Sequence, residues 1–313
     1  MNGARPDASP ALRFRRDGTF TIVQLTDLHW RNGGSKDRRT RDLVNRVLEQ
    51  EQPDLTIFTG DLIHSLKCRD PLRALGDALS AAAASGIPWA AVFGNHDAEG
   101  RVTRRELMRE MCGLPGCLAQ AGPDSVYGLG NYSIRLAGPD GDPCAVLYLL
   151  DSGVLPDGDE GIHPSQIGWL VREAEALARQ QAGRPVPALA FFHIPLPEYE
   201  RMWRTQICDG NKRERISCPA VNVGAWRAMS EQAGVVGAFC GHDHRNDFGG
   251  RLQQMRMYYG RVSGYHAYAR WLYPRGARVI RLHADVDLRE FDTWIRLHDG
   301  RKIDRPRLHR PRG

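Results

Sequence analysis

The chain has 313 residues, a formal charge of +6 and a pI near 9.0, with 42% hydrophobic and 26% charged residues. That is the composition of a soluble globular protein, and no apolar run approaches the roughly 18 residues of a membrane helix. The mild, dispersed basic excess suits anionic substrates such as phosphates and does not by itself argue for nucleic acid, which could enter only as a substrate.

Residues 1–18 read as a loose lead-in with an edge strand near Leu12–Phe14, and they lack the apolar core of a secretory signal. Seven cysteines without a Cys-x-x-Cys pair fit reduced thiols and a cytoplasmic protein. Cys112/Cys117 and Cys208/Cys218 are close enough to pair in an oxidising setting. The β-rich run Thr19–Thr26 predicts a buried strand that stops at Asp27-Leu28-His29. Leu43, Val44, Val47 and Leu48 give a helical period, predicting a helix from Thr40 to Gln52 that Pro53 ends. A second strand, Leu55–Thr59, stops at Gly60-Asp61. Asp70 caps a helix with Pro71 in its first turn. A third strand, Trp89–Phe93, stops at Gly94-Asn95-His96-Asp97, and a charged helix follows from Thr103 to Met111.

Tyr132–Leu136 and Ala145–Leu150 predict a hairpin around a Gly-Pro-Asp-Gly-Asp-Pro turn. Pro164–Gln181 is an amphipathic helix. Ala188–Phe192 is a strand that stops at His193. Residues 198–222 read as an irregular, cap-like loop, then a helix spans Val223–Ala233. The apolar run Val235–Cys240 stops at Gly241-His242-Asp243-His244. Short strands follow at 255–259, 277–282 and 291–297. Residues 19–300 form a single domain, and 301–313 a basic tail that reads as a solvated end.

Five strand-like runs thus end on residues that bind metals: Asp27/His29, Asp61, Asn95/His96, His193 and His242/His244. Five of the eleven histidines fall in these stops, which ordinary core packing does not explain. In open α/β sheets, ligands collect beyond the carboxyl ends of the strands, so these residues should meet at one rim. Imidazole, carboxylate and amide oxygen without thiolate suit Mn, Fe or Zn better than Mg or Ca. Asp27, His29, Asp61, Asn95, His193, His242 and His244 are too many ligands for one ion. They fit two divalent ions sharing a carboxylate, an arrangement suited to in-line displacement at phosphorus. His242 and His244, about 6.6 Å apart along an extended backbone, can serve different metals; Asp243 points the other way.

The five motifs, in this order, resemble those of the calcineurin-like metallophosphoesterase family. The wording Phe192-His193-Ile194-Pro195-Leu196-Pro197-Glu198-Tyr199 and Gly241-His242-Asp243-His244-Arg245-Asn246-Asp247 is similar to its purple-acid-phosphatase-like branch. The resemblance implies an α/β (α+β) fold, two mixed β-sheets packed as a sandwich flanked by helices. It implies one metal on Asp27, His29, Asp61 and His244 and a second on Asp61, Asn95, His193 and His242, with a bridging hydroxide attacking phosphorus. His96 would protonate the leaving group, with Asp97 fixing its tautomer. True purple acid phosphatases carry a tyrosine ligand three residues after the bridging Asp, where this chain has His64, and lack a histidine at the position of His29. A purple iron–tyrosinate centre is therefore not expected, and His64 is expected beside the ligands rather than among them.

Arg38, Arg39, Asn211, Lys212 and Arg245, with Trp203, are the candidates for contacting the phosphoester substrate; Tyr265 and His266 lie in a Gly-rich segment that could approach it. The leading reading is a phosphomonoesterase. A phosphodiesterase acting on cyclic nucleotides, other nucleotides or nucleic acid is the alternative, and a non-catalytic metal-binding scaffold the third. Oligomeric state is not legible in the sequence.

Overall fold

The computed structural model describes residues 12–138, 141–153, 160–269 and 273–311. The lead-in through residue 11, Pro139 and Asp140 of the expected hairpin turn, and the last two residues of the tail lie outside them. In chain order, β1 (Leu12–Arg13) and β2 (Thr19–Leu25) precede α1 (Ser35–Glu51), β3 (Leu55–Thr59), α2 (Pro71–Ala84), β4 (Trp89–Val92) and α3 (Arg104–Cys112). The hairpin β5 (Tyr132–Ala137) and β6 (Pro143–Leu149) leads to α4 (Pro164–Gln180), β7 (Ala188–Phe191), α5 (Glu198–Thr205) and β8 (Cys208–Asp209). Then come α6 (Ala225–Glu231), β9 (Val235–Cys240), β10 (Gly249–Leu252), β11 (Met255–Tyr259), β12 (Gly276–His283), β13 (Asp292–Leu297), β14 (Lys302–Ile303) and β15 (Leu308–His309).

The strands form two mixed sheets, as expected. One runs β14-β13-β12-β2-β3-β4, the other β1-β5-β6-β7-β9-β11-β10-β8-β15. β2, β3 and β4 are parallel, and so are β6, β7, β9 and β11. Each parallel block therefore sends its strand ends the same way, and the two blocks meet at one rim. Gln24 ties the sheets together there, its amide nitrogen donating to the Thr59 hydroxyl (2.9 Å) and the Cys240 carbonyl (3.0 Å).

Period-2 alternation divides the core. On β6, Leu147 and Leu149 join one cluster, with Phe191, Phe239 and the α1 face Leu43, Val44, Val47 and Leu48. Val146 and Tyr148 point the other way, into a second cluster with Trp169, Tyr199 and Trp226 from α4, α5 and α6. Each fully buried aliphatic side chain contributes about 1.5–3 kcal/mol.

Three expectations change. α1 starts at Ser35, five residues early, because its first turns are charged and carry no apolar period; Asp37 fixes the start by accepting from the amides of Gly34 (3.0 Å) and Arg31 (3.1 Å). The stretch 198–222 is not wholly irregular, since Tyr199 and Met202, three apart, bury one face of α5. The basic tail is not loose: β14 pairs with β13 and β15 with β8. Among the described residues the seven cysteines form no disulfide, so neither Cys112/Cys117 nor Cys208/Cys218 is bridged. Among the described residues no helix is long and apolar enough to cross a membrane.

Candidate metal centre

Asp27 and His29 leave the end of β2, Asp61 leaves β3, Asn95 follows β4, His193 follows β7, and His242 and His244 follow β9. Four of them bend the chain backwards. Asp27 (φ 55°), His29 (φ 47°), Asp61 (φ 51°) and His242 (φ 74°) occupy the left-handed region, which is sparsely populated by non-glycine residues and least costly for Asp, Asn and His. The backbone clamps them: the Asp27 amide donates to Gly60 O (3.1 Å) and the His29 amide to Asp61 O (2.9 Å). Gly241 has no Cβ for a steric reason, because one would lie 2.0 Å from the Thr26 hydroxyl and 3.0 Å from an Asp27 carboxylate oxygen.

The side chains converge. Asp27, His29, Asp61 and His244 are buried, with ligand atoms within 4.8 Å of one another. Asp61 is the hub: its Oδ2 lies 3.3 Å from His29 Nε2 and 3.4 Å from His193 Nε2. His244 Nε2 is 3.3 Å from Asp27 Oδ1, and Asn95 Oδ1 is 3.1 Å from His193 Nε2. The His242 ring packs edge-on to His193 at 5.1 Å. His193 Nδ1 donates to the Thr59 carbonyl (2.8 Å) and His244 Nδ1 to the Tyr268 carbonyl (3.2 Å), so both rings turn Nε2 inward. Asp243 turns away, its carboxylate accepting from the Tyr259 hydroxyl (2.6 Å).

These donors fit cations. Asp61 Oδ2 is buried without a hydrogen-bond partner, although a buried carboxylate oxygen left unpaired is costly. Burial pushes His29 down to about 3 and His242 down to about 4, leaving both rings neutral, the form in which imidazole binds a metal. Burial would do the same to His193, but the Asp61 carboxylate overrides it and holds that ring up at about 10, so the pocket favours positive charge. Asp61 itself stays ionised: burial would raise it, but the charged His193 ring beside it holds it well below the usual carboxylate range.

Beside this cluster, His96 Nδ1 meets Glu99 Oε2 at 2.9 Å, and its ring stacks on His64 at 4.8 Å and 19°. The tautomer partner expected of Asp97 is therefore Glu99. Asp97 is fully buried and accepts instead from the amides of Ile63 (2.9 Å) and Gly94 (2.7 Å), shaping the loops that carry Asp61 and Asn95. Burial, with Asp61 nearby, pushes its carboxyl up to about 7.

Residues 20–246 match the family profile described as calcineurin-like phosphoesterase. The chain belongs to the calcineurin-like phosphoesterase family. It is by class a metallophosphoesterase, a phosphoric ester hydrolase. It is 33% identical to a protein of Arabidopsis thaliana named probable inactive purple acid phosphatase 29, over 92% of this chain and 85% of that one. It is also 33% identical to phosphatase DCR2 of Saccharomyces cerevisiae, over 79% of this chain and 48% of that one. Among solved structures, a dimetal phosphatase from Danio rerio shares the fold, with a TM-score of 0.62 at 15% identity, covering 93% of this chain and 98% of that one.

The expected substrate contacts of the phosphoesterase have partners of their own. Arg38 donates to the Gly33 carbonyl (3.0 Å), and Arg39 lies over the Tyr265 ring at 4.0 Å. Arg245 is held through its amide by Glu214 (2.7 Å). Trp203, Asn211 and Lys212 line a cavity that includes none of the seven metal-ligand candidates. His266 faces Asp37 at 3.5 Å. The Gly-rich segment does reach the site: the Gly264 amide donates to Asp27 O (3.1 Å), and the Tyr268 ring packs 4.1 Å from His244. Sequence reasoning missed several supporting residues. Ser152 accepts from the amides of His193 (2.9 Å) and Ile194 (2.8 Å). Arg104 is ion-paired to buried Asp151 and donates to the Gly94 carbonyl (3.3 Å). Glu99 was legible, three residues after His96; Ser152 and Tyr268 have no sequence signal.

Proposed function

We propose that the protein is a binuclear metal-dependent phosphomonoesterase. The observation that carries this reading is Asp61 Oδ2, buried without a hydrogen-bond partner and set between the His29 and His193 rings. Asp27, His29, Asp61 and His244 would hold one divalent ion and Asp61, Asn95, His193 and His242 the other, with Mn, Fe or Zn suited to the donors. Two such ions supply a water-derived nucleophile at neutral pH and offset charge on the phosphoryl group. The protein's own residues do the rest. The carbonyls of Thr59 and Tyr268 fix the ring orientations of His193 and His244. His96, half-buried and raised in pKa against its burial by Asp61 and Glu99, holds a proton for the leaving oxygen on the ring nitrogen that Glu99 leaves free.

The names of its relatives, purple acid phosphatase and phosphatase, favour monoesters. The word inactive in the Arabidopsis name sets the competing reading, a metal-binding scaffold. The complete donor set with His96 in place speaks for catalysis, since a scaffold needs no leaving-group acid. Hydrolysis of p-nitrophenyl phosphate and bis-p-nitrophenyl phosphate by protein loaded with Mn, Fe or Zn is the test. Faster turnover of the monoester is expected. Preference for the diester overturns the monoesterase reading, and no turnover with both ions bound overturns the enzyme reading.

A further inference from the structure

The C-terminal segment closes a second concave site. β15 pairs antiparallel with β8, and the Gly210 amide donates to Arg307 O at 2.9 Å. His309 stacks on Trp203 with ring centroids 3.7 Å apart and planes 7° off parallel, and its Nε2 meets the Trp203 carbonyl at 2.9 Å. Trp203 in turn packs edge-on to Phe248. Between these segments lies a cavity of about 500 Å³, within the size range of small-ligand sites.

Its chemistry is one-sided. Lys212, Arg213, Arg307 and Arg310 line it, and no acidic residue does. Just upstream, Arg301 and Lys302 pair with Asp299 and Asp304, as surface cations ordinarily do. Lys212, Arg307 and Arg310 make no ion pair among the described residues. Four cationic side chains around one hollow repel each other, and strand pairing and the Trp203–His309 stack hold them there. The floor is fixed too. The Asn211 amide donates to Asp247 Oδ1 (2.6 Å) and the Arg213 amide to Asn246 Oδ1 (2.9 Å), and buried Asp247 is ion-paired to Arg261.

We propose that this cavity is a binding site for a polyvalent phosphate group, distinct from the metal centre. Its occupant is a ligand carrying two or more linked phosphates, whose charge the four side chains match and a single phosphate would not. Asn246 lies two residues beyond His244, so the occupied floor adjoins the loop that carries the metal-ligand candidates.

The test is calorimetric titration of the metal-loaded protein with tripolyphosphate, comparing wild type, Arg307→Ala/Arg310→Ala and Lys212→Met. A control, Arg172→Ala/Arg179→Ala at two exposed positions of α4, removes the same charge elsewhere. At least tenfold weaker binding is expected for the cavity pair and a smaller loss for Lys212→Met, with less than twofold change for the control. Equal affinity in all four proteins, or equal weakening in cavity pair and control, overturns the proposal. Both targeted arginines are exposed and the aromatic stack is untouched; Lys212→Met gives an independent reading should the pair lose its fold. A KM raised in the cavity pair for a nucleoside triphosphate but not for p-nitrophenyl phosphate identifies the phosphates as the substrate's own. An unchanged KM with lost tripolyphosphate binding identifies a free ligand. The binding readout needs no turnover, so it stands or falls apart from the phosphatase reading.

Discussion

Replacing Glu99 with Gln probes how His96 is set. The Glu99 Oε2 to His96 Nδ1 contact is 2.9 Å, and the side chains are 30% and 33% exposed. The amide oxygen of Gln can still accept from Nδ1, so orientation survives and the charge is lost. A hydrogen bond to a charged group contributes about 1.5–3 kcal/mol against 0.5–1.5 for a neutral one, a difference of about 1–1.5 kcal/mol. Solvent screening at this exposure trims it toward 1 kcal/mol, or roughly fivefold in rate. The loss should fall where a proton is needed. Phenyl phosphate, whose leaving group is basic, should slow by about fivefold in kcat, while p-nitrophenyl phosphate, whose leaving group needs no proton, should change by less than twofold. His96→Ala should widen the same split toward the 10²–10⁴-fold range of a lost general acid. Steady-state kinetics on both esters, with metal content measured in parallel, checks this. Equal slowing of the two esters at full metal content would refute the assignment of His96 as acid and Glu99 as its partner.

Asp61→Asn removes the shared carboxylate and should leave fewer than two metals per chain by elemental analysis, with activity near background; two retained metals would contradict its bridging role. Gly94→Ala changes no ligand, yet its Cβ would fall 2.2 Å from Asp61 Oδ1 and 2.4 Å from Asp61 N. It should therefore lower metal content in a protein that remains folded by circular dichroism. Chelation should lower the melting temperature: an ion present at a thousand times its Kd contributes about 4 kcal/mol, or roughly 6 °C for a chain of this size, by scanning calorimetry with and without chelator. Phe191→Ala, at a fully buried ring stacked on Phe239 at 5.1 Å, should cost about 3–5 kcal/mol in urea unfolding and leave metal binding intact.

The strands that carry the site were legible because each is a short apolar run ended by a polar residue. β2, β3, β4, β7 and β9 match their expected positions to within a residue or two. α5 hid because little more than two turns of amphipathic helix, bounded by Pro197, give too few repeats of the period. The tail strands hid because two-residue pairings are set by their partners, here β13 and β8, and not by local pattern. Glu99 was passed over for Asp97 because sequence adjacency to His96 suggested the nearer carboxylate. Asp97 is instead drawn under the loop by the amides of Ile63 and Gly94, and the turn of chain after it returns Glu99 to the imidazole.

The left-handed backbone of four ligand candidates explains why so short a set of motifs can specify so exacting a site. Asp27, His29, Asp61 and His242 each sit in a backbone region that costs of order 1 kcal/mol or more for a residue with a Cβ. Such a conformation persists only where its neighbours over-determine it. Here they do: Gly60 O holds Asp27, Asp61 O holds His29, the Asp27 carboxylate accepts from the His242 amide at 3.2 Å, and the Asp61 carboxylate accepts from the His96 amide at 2.9 Å. Each motif's backbone is thus tied to another motif's backbone or side chain. The strain is distributed over contacts that exist only when all the strands are assembled, so the fold itself aims these ligand candidates. A variant that breaks one of these ties without touching a ligand should weaken metal binding as surely as a ligand change does, which is the reasoning behind Gly94→Ala.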